Sequence, residues 1–274
     1  MLDGKYRAQW GEGELSPALT SVRCSLLIKA VQQVPEKMRS VVYLECAHLE
    51  EYIGNSDRAR YIVDKAKKEL SYEWKLYLER VLIDVRAKHY DSALQLVKSS
   101  LAAHPCTGRL WALYIQLELL TSRQFARAWR VFKQAVYEVP KAGEVWCEGG
   151  RLALMARDTA TARLFFERAI EFTPQYGDSF VEWLRVELLT QGPAADLSRI
   201  EHAASCAAPN YGVLWSYCKT HPSEGAVQTM HNARRVLLDL RRYELSMNLC
   251  HALNALPIEL LTADERTRLI FGWL

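Results

Sequence analysis

The sequence predicts an all-α protein, a right-handed α-α superhelix (solenoid) of stacked antiparallel helical hairpins. Three observations predict it. Pro105, Pro140, Pro174 and Pro209 recur at intervals of 35, 34 and 35 residues, a period typical of helical-hairpin repeats. Six residues after each proline stands a large aromatic: Trp111, Trp146, Phe180 and Trp215. Small and aromatic residues then recur in steps of three and four, which places them on one helix face. Strand signals are nearly absent, because apolar alternations are short and no Asn-Gly or Asp-Gly turn links two of them.

The elements follow in chain order. Ser16-Pro17 reads as a helix start, a polar cap with proline in the first turn. The stretch from there to Val34 reads as a second helix without its first, so residues 1–35 form a partial or atypical repeat. Residues 36–240 form the array proper, five to six hairpins. Its first helices are marked by Tyr43 (following Pro35 at looser spacing), Trp74, Trp111, Trp146, Phe180 and Trp215. Trp111 is followed by Tyr114 and Glu118, and Phe180 by Trp183 and Glu187 at the same offsets. Tyr43 has Glu50 at the glutamate offset, whereas the Trp74 unit has Val81 there and the Trp146 unit Ala153. The second helices carry Ala59, Val63 and Ala66; Ala128, Phe132 and Ala135; and Ala162, Phe166 and Ala169. The second helix of the Trp74 unit, Asp91 to Ala103, is degenerate. Residues 241–274 read as C-terminal capping helices. Thr262 to Glu265 is a capping box, and Leu269, Ile270, Trp273 and Leu274 share an apolar stripe. Such an end suits a cap, a docking segment or the edge of a fragment.

Each residue type has a mechanical reason. A large aromatic early in the first helix fills the gap between neighbouring hairpins. Small residues in the second helix let two backbones approach. A proline after that helix cannot continue it. A hairpin alone leaves an apolar face exposed and must stack on its neighbours. Most of the eight tryptophans are therefore packing residues.

Composition narrows the function classes. Half of the 274 residues are apolar and 24% are charged, too apolar a mixture for disorder. No apolar run approaches a membrane span, and the first 14 residues hold no apolar signal core, which predicts a soluble chain with no membrane partner. The seven cysteines are dispersed and never form a CxxC, so they read as reduced thiols of an intracellular protein. A net charge of +3 is no electrostatic footprint for nucleic acid and favours protein partners.

The pattern W-x2-Y-x3-E followed by A-R-x2-F-E-R-A and proline resembles the half-a-tetratricopeptide (HAT) repeat. Its fullest second helix is Ala162-Arg163-Leu164-Phe165-Phe166-Glu167-Arg168-Ala169, closing at Pro174. The Trp146 unit, with Gly149-Gly150 and Ala153, is closer to an ordinary tetratricopeptide (TPR) repeat. The resemblance covers residues 36 to 240. It implies that Glu50, Glu118 and Glu187 order their hairpins through contacts with second helices. It also implies a non-enzymatic scaffold within a multi-subunit RNA-processing complex (splicing, mRNA 3′-end formation or ribosomal RNA maturation), in a nuclear setting, with RNA contacted indirectly. Relatives in the polyadenylation machinery dimerise through such repeats, so a homodimer is an expectation too. The alternatives are a direct single-stranded RNA-binding solenoid of organellar type and a general TPR adaptor holding a peptide.

No catalytic motif emerges: GxxxxGK[ST], GxGxxG, HExxH and GxSxG are all absent. No catalytic residue, cofactor or metal is assigned. His202 and Cys206, at i and i+4, with Cys218 and His221 are a conceivable zinc set, but the spacing fits no zinc-finger pattern. Gly149-Gly150 marks either close approach of an adjacent helix or a notch for a partner's side chain. The candidate partner-binding face is the outward stripe of the second helices: Arg58, Tyr61 and Lys65; Arg127, Arg130 and Gln134; Arg168; and Arg199. It is either a modestly basic ribbon or a set of arginines paired with first-helix glutamates. With no interleaved exposed aromatics, it is a poor RNA platform.

Overall fold

In the computed structural model the described residues are Leu26, 29–122, 124–192 and 194–239. The expected start at Ser16-Pro17 and the capping segment 241–274 lie outside them. The described chain is helical and holds no strand; one isolated bridge joins Tyr176 and Tyr211. It divides into two compact units, Met1–Leu110 and Trp111–Leu274.

The first unit holds two hairpins. They are α1 (Glu36–Tyr52) with α2 (Ser56–Glu69), and α3 (Trp74–Arg86) with α4 (Tyr90–Ala103). A helical stretch over 29–33 precedes them. Helix α5 (Gly108–Ser122) carries the division in its first turn. The second unit continues with α6 (Phe125–Glu138), α7 (Gly143–Met155), α8 (Thr159–Phe172), α9 (Asp178–Gln191), α10 (Ser198–Ala207) and α11 (Val213–Cys218). A last helical run over 226–239 shares a core with α11 through Trp215, Met230 and Ala233. Successive helices pack on each other, α1 on α2 and α2 on α3 in the first unit, and α6 through α9 in sequence in the second.

The prolines punctuate as expected. Helices α4, α6, α8 and α10 each end two residues before Pro105, Pro140, Pro174 and Pro209, because the residue before a proline is pushed out of the helical region. In the Trp146 unit the six-residue spacing has a polar consequence as well as a packing one. The Trp146 indole N–H donates to the Pro140 carbonyl at 2.8 Å, tying the start of α7 to the end of the preceding hairpin. The small residues Ala59, Val63, Ala66, Ala128, Ala135, Ala162 and Ala169 are fully buried, with Phe166 among them.

Within three hairpins the two helices meet in one turn geometry. Gly54, Lys88 and Arg157 each take positive φ (96°, 62° and 61°). The next amides, of Asn55, His89 and Asp158, bond back to the carbonyls of Glu50, Asp84 and Ala153. This is the left-handed helix stop closed by a six-to-one hydrogen bond. It also sets the register. Asp84, not Val81, is the equivalent of Glu50, and Tyr77, seven residues earlier, is the equivalent of Trp111 and Phe180. Trp74 instead opens α3, only partly buried. Aligning this unit on its tryptophan shifts the reading by nearly one helical turn.

Gly149 and Gly150 are close-approach glycines. A Cβ on Gly149 would lie 2.4 Å from the Phe132 ring, and one on Gly150 would lie 2.4 Å from the Phe166 ring. The chain's own rings fill both notches, which leaves no room there for a partner's side chain.

Candidate functional site

The charged residues buried between helices act as latches. Glu50 receives Asn55 Nδ2 at 3.3 Å and faces Arg58 at 3.6 Å, on the second helix of its own hairpin. Glu118 faces Arg127 at 4.0 Å in the same way. Glu187 is held instead from the preceding hairpin. Arg163 donates to both its oxygens, at 2.6 and 3.0 Å, and the Trp183 indole N–H donates at 3.2 Å. Asp84 is bound in the same reach: Arg60 Nε donates at 2.7 Å, Ser92 Oγ at 2.6 Å, and Arg80 lies 3.0 Å away. Burial pushes the Asp84 carboxyl up, but the bonds from Ser92 and Arg60 and the charge of Arg80 outweigh it. Its pKa falls below the usual aspartate value.

A second set of contacts joins successive first helices of the second unit. Gln116 on α5 donates to Glu148 on α7 at 2.7 Å. Arg151 on α7 donates to Glu182 on α9 at 2.9 Å and to Glu148 beside it, and lies 3.5 Å from Asp178. Asp178 in turn accepts from Tyr176 Oη at 3.1 Å and from the amides of Val213 and Trp215 at 3.1 and 3.0 Å. Arg185 lies 3.7 Å from Glu182. One buried arginine thus faces three buried carboxylates. Burial is the main reason the Glu148 carboxyl is raised to about 7; Arg151 and Gln116 oppose the rise, while Glu182 and Asp178 add to it. Burial raises Asp178 as well. The sequence signal was available and unread: Glu148-x2-Arg151 and Glu182-x2-Arg185 repeat at one period, three apart on a helix face.

The outward stripe divides. Arg58 and Arg127 face first-helix glutamates, as described. Arg168 pairs with Glu171 on its own helix at 2.8 Å. Arg199 pairs with Glu167 at 3.1 Å and lies 5.3 Å over the Trp183 ring. The partners of Arg168 and Arg199 are therefore second-helix glutamates. Lys65, Arg130 and Gln134 are exposed, and among the described residues none of them has a charged or hydrogen-bonding partner. Aromatic rings also stand on these faces, contrary to the sequence expectation. Tyr61 on α2 is 69% exposed, and Tyr137 on α6 is 85% exposed. On α6, Phe125 stacks on Trp129 at 5.8 Å, and Trp129 stacks on Phe165 of α8 at 6.4 Å.

The four residues weighed as zinc ligands are not assembled. Among the described residues Cys206 meets His202, at 3.6 Å; Cys218, the last residue of α11, is buried in the core; His221 bonds Ser223. Among the described residues no three His, Cys, Asp or Glu side chains are grouped as metal ligands. No described helix is long and apolar enough to cross a membrane.

A repeating hairpin with latches of this kind has a family. The family model described as "PRP6, TPR-like domain" matches residues 10–234. The chain belongs to the PRP6 TPR-like domain family. A TPR-containing protein of Dictyostelium discoideum is 44% identical to this PRP6-type array over 179 residues, which is 65% of this chain and 14% of the relative. The chain therefore spans about a seventh of that relative's length. Among solved structures, the APC/C hetero-tetramer Cut9-Hcn1 matches 80% of the chain and 45% of its own, with a TM-score of 0.50 and 12% identity. PilW, a type IV pilus biogenesis factor, matches 80% of the chain and 96% of its own, with a TM-score of 0.46 and 15% identity. At 12% identity the likeness to the Cut9-Hcn1 structure speaks for the fold alone.

Proposed function

We propose that this chain is a non-enzymatic helical-repeat scaffold that joins protein partners inside a nuclear RNA-processing assembly. The match to the PRP6 TPR-like domain across residues 10–234 carries this reading, and the HAT resemblance points the same way. The use of charge in the molecule agrees with it. The buried arginines and carboxylates described above are spent on tying hairpin to hairpin, so recognition falls to the outer helix faces. Stacked hairpins leave such faces open to partner proteins.

The test is affinity purification of the full-length protein from its source cell, with and without nuclease. Splicing, 3′-end or ribosome-maturation proteins recovered in equal yield after nuclease treatment support the scaffold. Loss of those proteins with nuclease overturns it. A nuclease-resistant set unrelated to RNA selects the general TPR adaptor instead. Sedimentation of the purified chain tests a second copy as one of the partners; a monomer at all concentrations rules that partner out.

A further inference from the structure

We propose that the outer face of α6 is a binding strip for single-stranded nucleic acid, RNA in the setting proposed above. Only the choice of RNA over DNA rests on that setting.

Phe125, Trp129, Lys133 and Tyr137 are spaced at i, i+4, i+8 and i+12 along α6. That spacing forms one continuous ridge about 18 Å long. The adjoining surface carries Arg130, Gln134 and Arg127. Helix α6 has three basic residues and a single acid, Glu138. Arg130 and Lys133 are exposed, and no described carboxylate pairs with either. Arg127 faces Glu118 only at 4.0 Å and keeps half of its side chain in solvent. The charges of Arg130 and Lys133 are therefore not neutralised from within, and that of Arg127 only in part.

The rings supply the second half of the recognition. Phe125, Trp129 and Phe165 form a near-parallel column, with interplanar angles of 18° and 28°. Phe125 at the start of α6 is 37% exposed and offers ring surface to a further π system. Tyr137 stands just over three turns further along the ridge, 85% exposed, beside Lys133. Bases stack on such faces with little sequence preference while arginine and lysine follow the backbone. An acidic peptide would use the same charges but has no need of successive ring faces. The rings favour nucleic acid.

The test is fluorescence anisotropy of a labelled 15-nucleotide oligouridine with the full chain, from 50 to 300 mM KCl. Neutralising three phosphates gives a slope of log affinity against log salt of about −2. In R130Q/K133Q the slope falls to about −0.7. Removing one stacking ring, in Y137A or F125A, weakens binding by about five- to 150-fold with the slope unchanged. Tyr137, Arg130 and Lys133 are exposed and unpaired, so their variants keep the fold, which circular dichroism checks. No binding at 50 mM KCl overturns the proposal. Full-strength binding by Y137A and F125A also overturns it, as does polyglutamate competing as well as RNA, since either leaves a generic polyanion surface. These results are independent of the affinity purification above, where protein partners are read directly.

Discussion

Replacing Glu148 by Gln isolates the buried arginine–carboxylate cluster of the second unit. Glu148 is 3% exposed, and burial raises its pKa from 4.5 to about 7. The folded state therefore holds a proton that the unfolded chain releases at lower pH. A carboxyl raised in this way contributes stability that is fully present below pH 4.5 and is lost as pH rises through 7. A rise of roughly 2.5 units is worth about 3 kcal/mol, nearly all of it lost between pH 4 and pH 8. Gln resembles the protonated acid in shape and keeps an oxygen to accept from Gln116 and Arg151. Arg151 retains Glu182 and Asp178, so the substitution leaves no cation unpaired. The expected result is near-equal stability of E148Q and wild type at pH 4.5. By pH 8 the variant should lead by about 3 kcal/mol. Urea unfolding followed by tryptophan fluorescence at half-unit pH steps measures the difference directly. His48, whose pKa its hydrogen bond to Glu79 raises, loses stability in the same direction as pH climbs, but it does so in both proteins and cancels. A pH-independent difference between the two proteins would show that Glu148 stays ionised against Arg151, and the reasoning would fail.

Three further substitutions probe the packing. Gly150→Ala gains about 1 kcal/mol of helix propensity but places a methyl 2.4 Å from the Phe166 ring, so it should destabilise by about 1–2 kcal/mol net; unfolding at equal or higher urea would refute the close-approach account. Asp84→Ala removes the shared acceptor of Arg60, Arg80 and Ser92 and should cost about 3 kcal/mol, since Arg60 keeps Asp57 and Arg80 keeps Asp64; the urea midpoint reports it, and Val81→Ala, a cavity change, should leave the ion pairs intact in double-mutant cycles with Arg60. Trp146→Phe deletes the bond to the Pro140 carbonyl and trims the indole packed on Phe132, Phe165 and Phe172, for a loss of about 1–2 kcal/mol, with hydrogen exchange rising first in the loop between α6 and α7.

The repeating pattern was legible because its causes are local. Pro174 ends α8 through its own ring, and Ala162, Phe166 and Ala169 fall on one face through helix geometry alone. The departures arose where a residue type has two equivalent positions. Trp74 matched the tryptophans of other units by identity, yet the turn bond from His89 to Asp84 assigns the slot to Tyr77. The stripe residues show the same limit in part: Arg168 meets Glu171 one turn along its own helix, as periodicity allows, but the sequence offers many glutamates to Arg199 and only packing selects Glu167.

By itself, then, the sequence determined a helical-hairpin array, its period, its proline stops and its aromatic wedges, since each follows from sterics within a few residues. Only the tertiary structure decided which carboxylate an arginine meets on another helix. Arg163 and Glu187 are 24 residues apart, and Arg151 and Glu182 are 31. Their meeting depends on how one hairpin seats on the next. The same stacking brings Phe165 of α8 onto Trp129 of α6, which also carries Phe125. Contact across hairpins depends on relative placement in space, which helical periodicity does not encode.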